Sequence, residues 1–285
     1  MKRWLHRLSL LLLILSLISS GFFVFKVRER NQLLDRLIDD VVTGRNLKDR
    51  SEIVISLAQE IYQRTNRPLR KDEVDWYTRV MGSSFFYISA AGSLKYGGYG
   101  FVGGIGASCG AMSRTLLNVL WRLKIPARKL QLVGTDLGRS GAHTMIEFYY
   151  HGAWRVCSPS DNGFVWRAED GEIATVNQIH NNPAIFSQIY ASEPDFPYHF
   201  DHPTNIRWGK LPDWMISTIR FVIGERRFES MKTPELYDQP RQLFLDCSVS
   251  LSILFLALSF ITRSKRRPAR GHTSPALADQ AAPKA

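Results

Sequence analysis

Two long apolar runs lie near the two ends of the chain, and they constrain the fold more than any other feature. Leu8–Phe25 holds 18 residues without a charged side chain, and Leu243–Thr262 holds 20 residues with a single charge, Asp246. About 20 apolar residues span the hydrocarbon core of a bilayer as a helix, in which the backbone satisfies its own hydrogen bonds. The sequence therefore predicts two transmembrane helices, with residues 26–242 on one side of a membrane.

The positive charge of the chain is concentrated at its ends. The 285 residues contain 37 Lys and Arg against 26 Asp and Glu, a net charge of +11, of which residues 1–7 carry +3 and residues 263–285 carry +5. The excess therefore marks no nucleic-acid-binding surface, and we expect no nucleic-acid partner. Basic residues favour the cytoplasmic side of a span, so both termini are predicted in the cytoplasm. Lys26, Arg28 and Arg30 weaken this assignment for the first span only.

The predicted spans divide the chain into six segments. The first run has an alternative, a signal peptide, because Ser19-Ser20-Gly21 permits cleavage; Phe22–Phe25 continues the apolar run and favours an anchor. We expect a bacterial inner-membrane protein whose domain lies in the periplasm. The segments are a basic cytoplasmic N-terminus (1–7), a transmembrane helix (8–25), a helical lead-in with the main domain (26–165), an irregular extracytoplasmic extension (166–242), a transmembrane helix (243–262) and a basic, disordered cytoplasmic tail (263–285).

The pattern of apolar residues between the spans predicts an α+β fold. His151-Gly152 is the two-residue turn expected of an antiparallel hairpin. A helix followed by neighbouring strands indicates a helix packed on an antiparallel sheet. Apolar residues recur at helical spacing in 31–65, with a break at Gly44–Asn46, and in 72–83 and 111–123. The predicted strands are 128–134, 143–150 and 153–157.

Neither a phosphate-binding loop nor a metal site is indicated. Residues 92–110 hold eight glycines in 19 positions, but GxxxxGK[ST] does not occur there, and the GxGxxG match at 98–103 follows no predicted strand. His199, Asp201 and His202 have metal-binding side chains without an HExxH or CxxC partner. We therefore expect no metal and no cofactor.

Cys109 and His143 are the candidates for chemistry. Cys109 precedes the helix predicted at 111–123, where free amides and the helix dipole favour a thiolate. His143 opens the first hairpin strand, so the two residues form a candidate nucleophile and base. Cys157 has two interpretations: a disulfide with Cys109, which would disable the nucleophile, or a small buried strand residue, which we favour.

The residues around this pair resemble the transglutaminase-like superfamily of papain-fold cysteine proteins. The resemblance covers roughly residues 50–165. Members of the superfamily include transglutaminases, cysteine peptidases and amidases. It implies a papain-like or transglutaminase-like core and thiol acyl chemistry on amide or ester bonds. The residues that carry it are Cys109-Gly110, Ser113, Leu116-Leu117, Leu120, Ile125-Pro126-Ala127-Arg128, His143-Thr144, Glu147, Gly152 and Trp154.

The resemblance implies Cys109 as the nucleophile and His143 as the base, but it leaves the third member open. The family usually has an Asp immediately before a Pro on the second hairpin strand, where it accepts the Nδ1–H of the histidine. Ser158 stands at that position, before Pro159, and Asp161 follows three residues later. Asp161, Ser158 or neither therefore orients His143.

The oxyanion donors are also implied by the resemblance. The Cys109 amide is the family-like donor, next to Gly110. A second donor is expected from the 97–106 loop or from Tyr99.

Two functions are consistent with these residues. The first is a membrane-anchored cysteine hydrolase or acyltransferase that acts on an extracytoplasmic peptide, protein or envelope polymer. The alternative is a degenerate papain-like module that binds such a polymer or a membrane partner without turnover, which Ser158 in the place of the acid favours. The substrate and the oligomeric state stay open.

Overall fold

The protein combines helices with an antiparallel sheet, as the apolar pattern predicts. A computed structural model describes residues 2–66, 92, 94–95, 109–133, 142–190, 200–201, 203–206, 208–232 and 238–263. The helix predicted at 72–83, most of the glycine-rich stretch and Tyr99 lie outside these residues. The described helices are α1 (Lys2–Ile38), α2 (Arg50–Thr65), α3 (Cys109–Arg122), α4 (Val176–Asn181), α5 (Pro183–Tyr190), α6 (Asp213–Ile223), α7 (Glu225–Ser230) and α8 (Pro240–Thr262).

Four strands form the sheet in the order β3-β2-β1-β4. Both turn residues between β2 and β3, His151 and Gly152, have positive φ (46° and 77°), as a tight hairpin turn of this twist requires. The register pairs Ile146 with Cys157, in agreement with the count across the turn. The strands are β1 (Ala127–Val133), β2 (Ala142–Tyr150), β3 (Ala153–Cys157) and β4 (Pro203–Thr204).

One face of the sheet packs on a layer of three helices. The apolar stripe of α3 contacts Ile146 and Phe148 of β2, and the end of α1 and most of α2 close the same core. Asp49 caps α2 by accepting the Ser51 and Glu52 amides. This core holds α3, and with it Cys109, against the central strand β2.

The opposite face of the sheet is covered by residues of the segment predicted to be irregular. Trp166, Ile179 in α4 and Tyr190 in α5 pack with Leu130 and Leu132 of β1. The expectation of an irregular extension over 166–242 is wrong, because α4 to α7 lie within it. These helices have only 6 to 11 residues, too few turns for a clear periodicity, and tertiary packing stabilises them.

Two helices of the described residues are long and apolar enough to cross a membrane: Trp4–Thr43 and Pro240–Thr262. The first apolar run does not end as a separate helix at Phe25, because α1 continues to Ile38 and a π-helical turn, Asp39–Thr43, extends it. The side chains of Leu34 and Leu37 are buried in the domain core, so this extension packs against the domain.

The described residues fall into two compact units. In the smaller one, residues 2–19 and 248–263, Ser252 Oγ donates to Ser16 Oγ at 2.9 Å. In the larger one, Ser20–Cys247, Arg241 Nη1 donates to Lys26 O and to Glu29 Oε2, both at 3.0 Å. These bonds join the start of α8 to α1 within the larger unit.

Candidate active site

Cys109 is the first residue of α3, and its side chain is half-buried beside the start of β2. Its Sγ lies 4.0 Å from the carbonyl oxygen of Ala142, the residue before His143. One turn into the helix, Ser113 Oγ donates to the Thr144 carbonyl at 2.8 Å. This bond fixes α3 to the strand at the level of His143, so the two sequence candidates lie together.

Cys109 and His143 shift each other's pKa in opposite directions. Burial raises the pKa of the Cys109 thiol, but a hydrogen bond with His143 and the charge of the imidazole outweigh it and hold the pKa below its ordinary value. Burial lowers the pKa of His143, but contacts with Asp161 and Cys109 raise it to about 9. Between these two titrations the favoured state is a thiolate beside an imidazolium.

Asp161 is the carboxylate that faces His143. Its Oδ2 lies 3.6 Å from His143 Nε2, which corrects the expectation that the acid accepts from Nδ1. Burial raises the pKa of Asp161, but His143 and Ser158 lower it below its ordinary value, so the carboxylate is ionised at neutral pH.

Ser158 supports Asp161: its buried Oγ donates to Asp161 Oδ2. The chain leaves β3 at this residue and forms a 3₁₀ turn, Pro159–Asp161. Asn162 then has a φ of 56° and Gly163 a φ of 72°. The turn brings the carboxylate of Asp161 back toward the start of β2.

Tyr190, which the sequence analysis did not select, is the fourth side chain of the cluster. Its hydroxyl lies 3.5 Å from His143 Nε2 and donates to Asp161 Oδ2 at 3.3 Å. The tyrosine ends α5, inside the segment expected to be irregular. Apolar spacing in Ile185, Phe186 and Ile189 indicates a short helix, but nothing in the sequence relates it to His143.

Cys157 lies at the end of β3 and is fully buried in the core between the sheet and α3. Both Cys157 and Cys109 are free thiols. Burial raises the pKa of the Cys157 thiol, and the negative charge of Asp161 raises it further. This thiol therefore stays protonated and unreactive.

The amides that could act as oxyanion donors lie at the start of α3. Cys109 and Gly110 open α3, and the amides of a first helical turn have no acceptor within the helix. A Cβ added to Gly110 would make ordinary van der Waals contact with Thr144 Oγ1, at 3.9 Å. Tyr99 lies outside the described residues.

Three further residues of the resemblance, Arg128, Glu147 and Trp154, contact one another rather than the cysteine. Arg128 Nε donates to Glu147 Oε2 at 2.6 Å, and its guanidinium lies 4.3 Å from the centre of the Trp154 ring. Glu147 is four residues along β2 from His143, about 13 Å away. Their arrangement fits a role in holding the sheet.

No group of three His, Cys, Asp or Glu that could hold a metal ion occurs in the part of the chain that the structure describes. Of the histidine and aspartate residues considered from the sequence, His199 and His202 lie outside that part. Asp201 pairs with His180 Nδ1 at 3.1 Å.

Comparisons with known proteins found no related sequence and a weak likeness in structure. No family model and no curated protein matches the chain. One solved structure that it resembles is the crystal structure of a TGase, with 16% sequence identity and a TM-score of 0.33. The alignment covers 56% of this chain and 37% of the TGase chain. The likeness is too weak to carry a functional argument.

Proposed function

We propose that this chain is a membrane-anchored cysteine hydrolase or acyltransferase with a transglutaminase-like, papain-type core. Cys109 is the nucleophile, His143 the general base and acid, and Asp161 the carboxylate that stabilises the imidazolium. The domain lies outside the cytoplasm, in the periplasm of a bacterial inner membrane. The substrate is an amide or ester of a peptide, a protein or an envelope polymer.

The contact series from Cys109 through His143 to Asp161 is the observation that carries this proposal. The pKa of the thiol is lowered while that of the imidazole is raised to about 9. Neither shift follows from burial, which acts in the opposite direction on both groups. A structural cysteine in a core has the opposite behaviour, with a raised pKa.

The geometry supports a two-step acyl transfer. The Cys109 thiolate attacks the carbonyl carbon, and the oxygen takes up the negative charge near the amides that open α3. The intermediate then collapses: the C–N or C–O bond breaks, and the imidazolium of His143 gives its proton to the leaving group. Water or an amine, deprotonated by the now neutral imidazole, attacks the thioester and restores the thiolate.

The test is the pH dependence of Cys109 alkylation by iodoacetamide, followed by mass spectrometry of the Cys109 peptide. In the full chain in detergent we expect rapid labelling well below pH 8. In His143→Ala the labelling curve moves to higher pH, because the thiol loses the positive charge that stabilises its ionised form.

His180→Ala is the matched control, since His180 pairs with Asp201 and touches none of the site residues. Its labelling curve stays that of the unmodified chain. Slow labelling that is equal in the unmodified chain and in His143→Ala contradicts the proposal and favours the binding module without turnover.

A further inference from the structure

Helix α6 exposes three large apolar side chains on one face, the α6 outer face, which consists of Trp214, Phe221 and Val222. Their exposed fractions are 69%, 89% and 72%. At 100° per residue these three positions lie within about a third of the helix circumference. Among the described residues outside Trp4–Thr43 and α8, Tyr149 and Met231 are the other large apolar side chains classed as exposed, at about 40% each.

The opposite face of α6 is packed, so the exposure does not come from a loosely attached helix. Ile216 is buried in a small core with Trp208 and Phe228, and Ile219 and Ile223 pack against it. The rings of Trp208 and Phe228 stack at 4.1 Å. A helix that is apolar on both faces exposes a second apolar surface, and such a surface marks a site of contact with a protein or a membrane.

The charged side chains that the structure describes in residues 208–232 are basic by a small margin. Three of them are basic and two acidic, a net charge of +1: Arg220, Arg227, Lys232, Asp213 and Glu225. The guanidinium of Arg220 lies 4.6 Å from the centre of the Phe228 ring, on the flank of the helix, and its Nε pairs with Glu225 Oε2 at 3.1 Å. Apolar side chains with tryptophan, bordered by positive charge, are the composition that binds the interface of an anionic bilayer.

The α6–α7 pair is attached where the chain leaves the domain for α8. Lys232, just after α7, and Asp238, two residues before α8, line one cavity of about 330 Å³. Lys232 Nζ lies 5.2 Å from the centre of the Trp154 ring. Asp238 is held in the core by Arg114 Nε at 3.0 Å and by Lys129. The helix pair and the entry into α8 therefore share one end of the larger unit.

We propose that the α6 outer face is a membrane-binding surface that inserts Trp214, Phe221 and Val222 into the interface of an anionic bilayer. The inference rests on the membrane anchoring proposed above and is independent of the thiol chemistry. Because α8 tethers the domain to the bilayer, the local lipid concentration is high, and a short helix binds there without strong intrinsic affinity. The insertion fixes the orientation of the domain over the lipid surface.

The experiment is tryptophan quenching by brominated lipid. The full chain is reconstituted in vesicles of phosphatidylcholine and phosphatidylglycerol, with or without bromine on the acyl chains, and flotation first measures membrane association. We expect the emission lost on bromination to fall in Trp214→Phe. Trp166→Phe, fully buried under α4 and α5, is the control and leaves that loss unchanged.

Phe221→Asp provides a second variant, which folds because its side chain is almost fully exposed. It abolishes the quenching that depends on Trp214, since a carboxylate is costly in the interface. Ser187→Asp, at an exposed position of α5, has no such effect.

Three results overturn the inference. If the chain does not float with the vesicles, it is not anchored in the membrane, and the proposed insertion of α6 is wrong. The alkylation of Cys109 does not depend on this result. A chain that floats with equal quenching in Trp214→Phe and the unmodified protein retains its anchor but does not insert α6. A disulfide-linked dimer of Phe221→Cys in detergent identifies a second copy of the chain as the occupant.

Discussion

Two cysteines on opposite sides of the same site have opposite chemistry. Cys109 begins α3 and is half-buried, whereas Cys157 ends β3 and is fully buried. The pKa of Cys109 is below its ordinary value, whereas burial and the charge of Asp161 raise that of Cys157. Burial raises the pKa of both thiols, so the contacts of Cys109, above all with His143, are what lower its pKa.

Asp161 accounts for much of the difference. Its carboxylate stabilises the imidazolium of His143, and through that positive charge it favours the Cys109 thiolate. The same negative charge disfavours a thiolate at Cys157. One carboxylate thus favours ionisation of the sulfur that has an imidazole partner and opposes ionisation of the sulfur that has none.

Removal of each thiol in turn has the largest expected effect. With p-nitrophenyl acetate as the acyl donor, the unmodified chain releases a burst of p-nitrophenolate as the thiolate is acetylated. Cys109→Ala loses the burst completely, because no other ionised thiol lies in the site. Cys157→Ala keeps it.

Cys157→Ala is expected to lower the stability of the domain instead of its reactivity. Loss of the buried sulfur lowers the free energy of unfolding by about 1–2 kcal/mol, measured by denaturant titration. A burst that survives in Cys109→Ala, or disappears in a folded Cys157→Ala, contradicts the assignment of the two thiols.

Substitution of His143 has the next largest effect. His143→Ala removes the base and the charge that lowers the pKa of Cys109, and the acetylation rate falls by about 10²–10⁴-fold, the usual contribution of general acid–base catalysis. Stopped-flow release of p-nitrophenolate at neutral pH measures this rate. His151→Ala, at the hairpin turn, is the control, and a similar loss there would show that the effect comes from the fold.

The sequence predicts this site in part, and the missing parts have physical reasons. Cys109 and His143 each begin a regular element that local patterns reveal, so their pairing can be predicted. The register across the turn is also correct, but it places Ser160 opposite His143, whereas the strand ends at Cys157. The chain then turns, and Asp161 takes the position beside the imidazole.

That turn depends on a distant helix. A Cβ on Gly163 would lie 2.8 Å from the backbone nitrogen of Gln59 in α2, so only glycine permits this close approach at a φ of 72°. Contacts between residues about 100 positions apart leave no local pattern. Tyr190 was missed for the same reason, since its α5 is held by packing on the far face of the sheet.

Asp161→Asn tests whether the carboxylate causes the difference in pKa between the two thiols. Without the charge, the pKa of His143 falls and that of the Cys109 thiol rises, and the acetylation rate decreases by about 10- to 100-fold, because an opposite charge at this distance shifts a pKa by one to three units. Ser158→Ala, which removes only a hydrogen bond to Asp161, has a smaller effect. Equal losses in both variants contradict a direct role of the charge.

The alkaline limit of the reaction follows from the raised pKa of His143. Below about pH 9 the imidazolium is present and can protonate the leaving group. Above that value the proton is lost, so kcat for turnover of an anilide probe falls by about fivefold between pH 9 and pH 10, because the protonated fraction drops from about one half to about one eleventh. In Asp161→Asn the limit moves to lower pH, because the supporting negative charge is gone. An unchanged limit in this variant would assign it to another group.

Tyr190→Phe has the smallest expected effect and tests how the carboxylate is oriented. The hydroxyl donates to Asp161 Oδ2 at 3.3 Å and lies 3.5 Å from His143 Nε2, so its removal deletes about one hydrogen bond, or 1 kcal/mol. The acetylation rate falls by about fivefold, while the ring still packs on Trp166 and the free energy of unfolding falls by no more than about 1 kcal/mol. Because Asp161 keeps its charge, the alkaline limit near pH 9 stays within a few tenths of a unit. A shift of that limit as large as in Asp161→Asn would mean that Tyr190, rather than the carboxylate alone, maintains the imidazolium and thereby the contrast between Cys109 and Cys157.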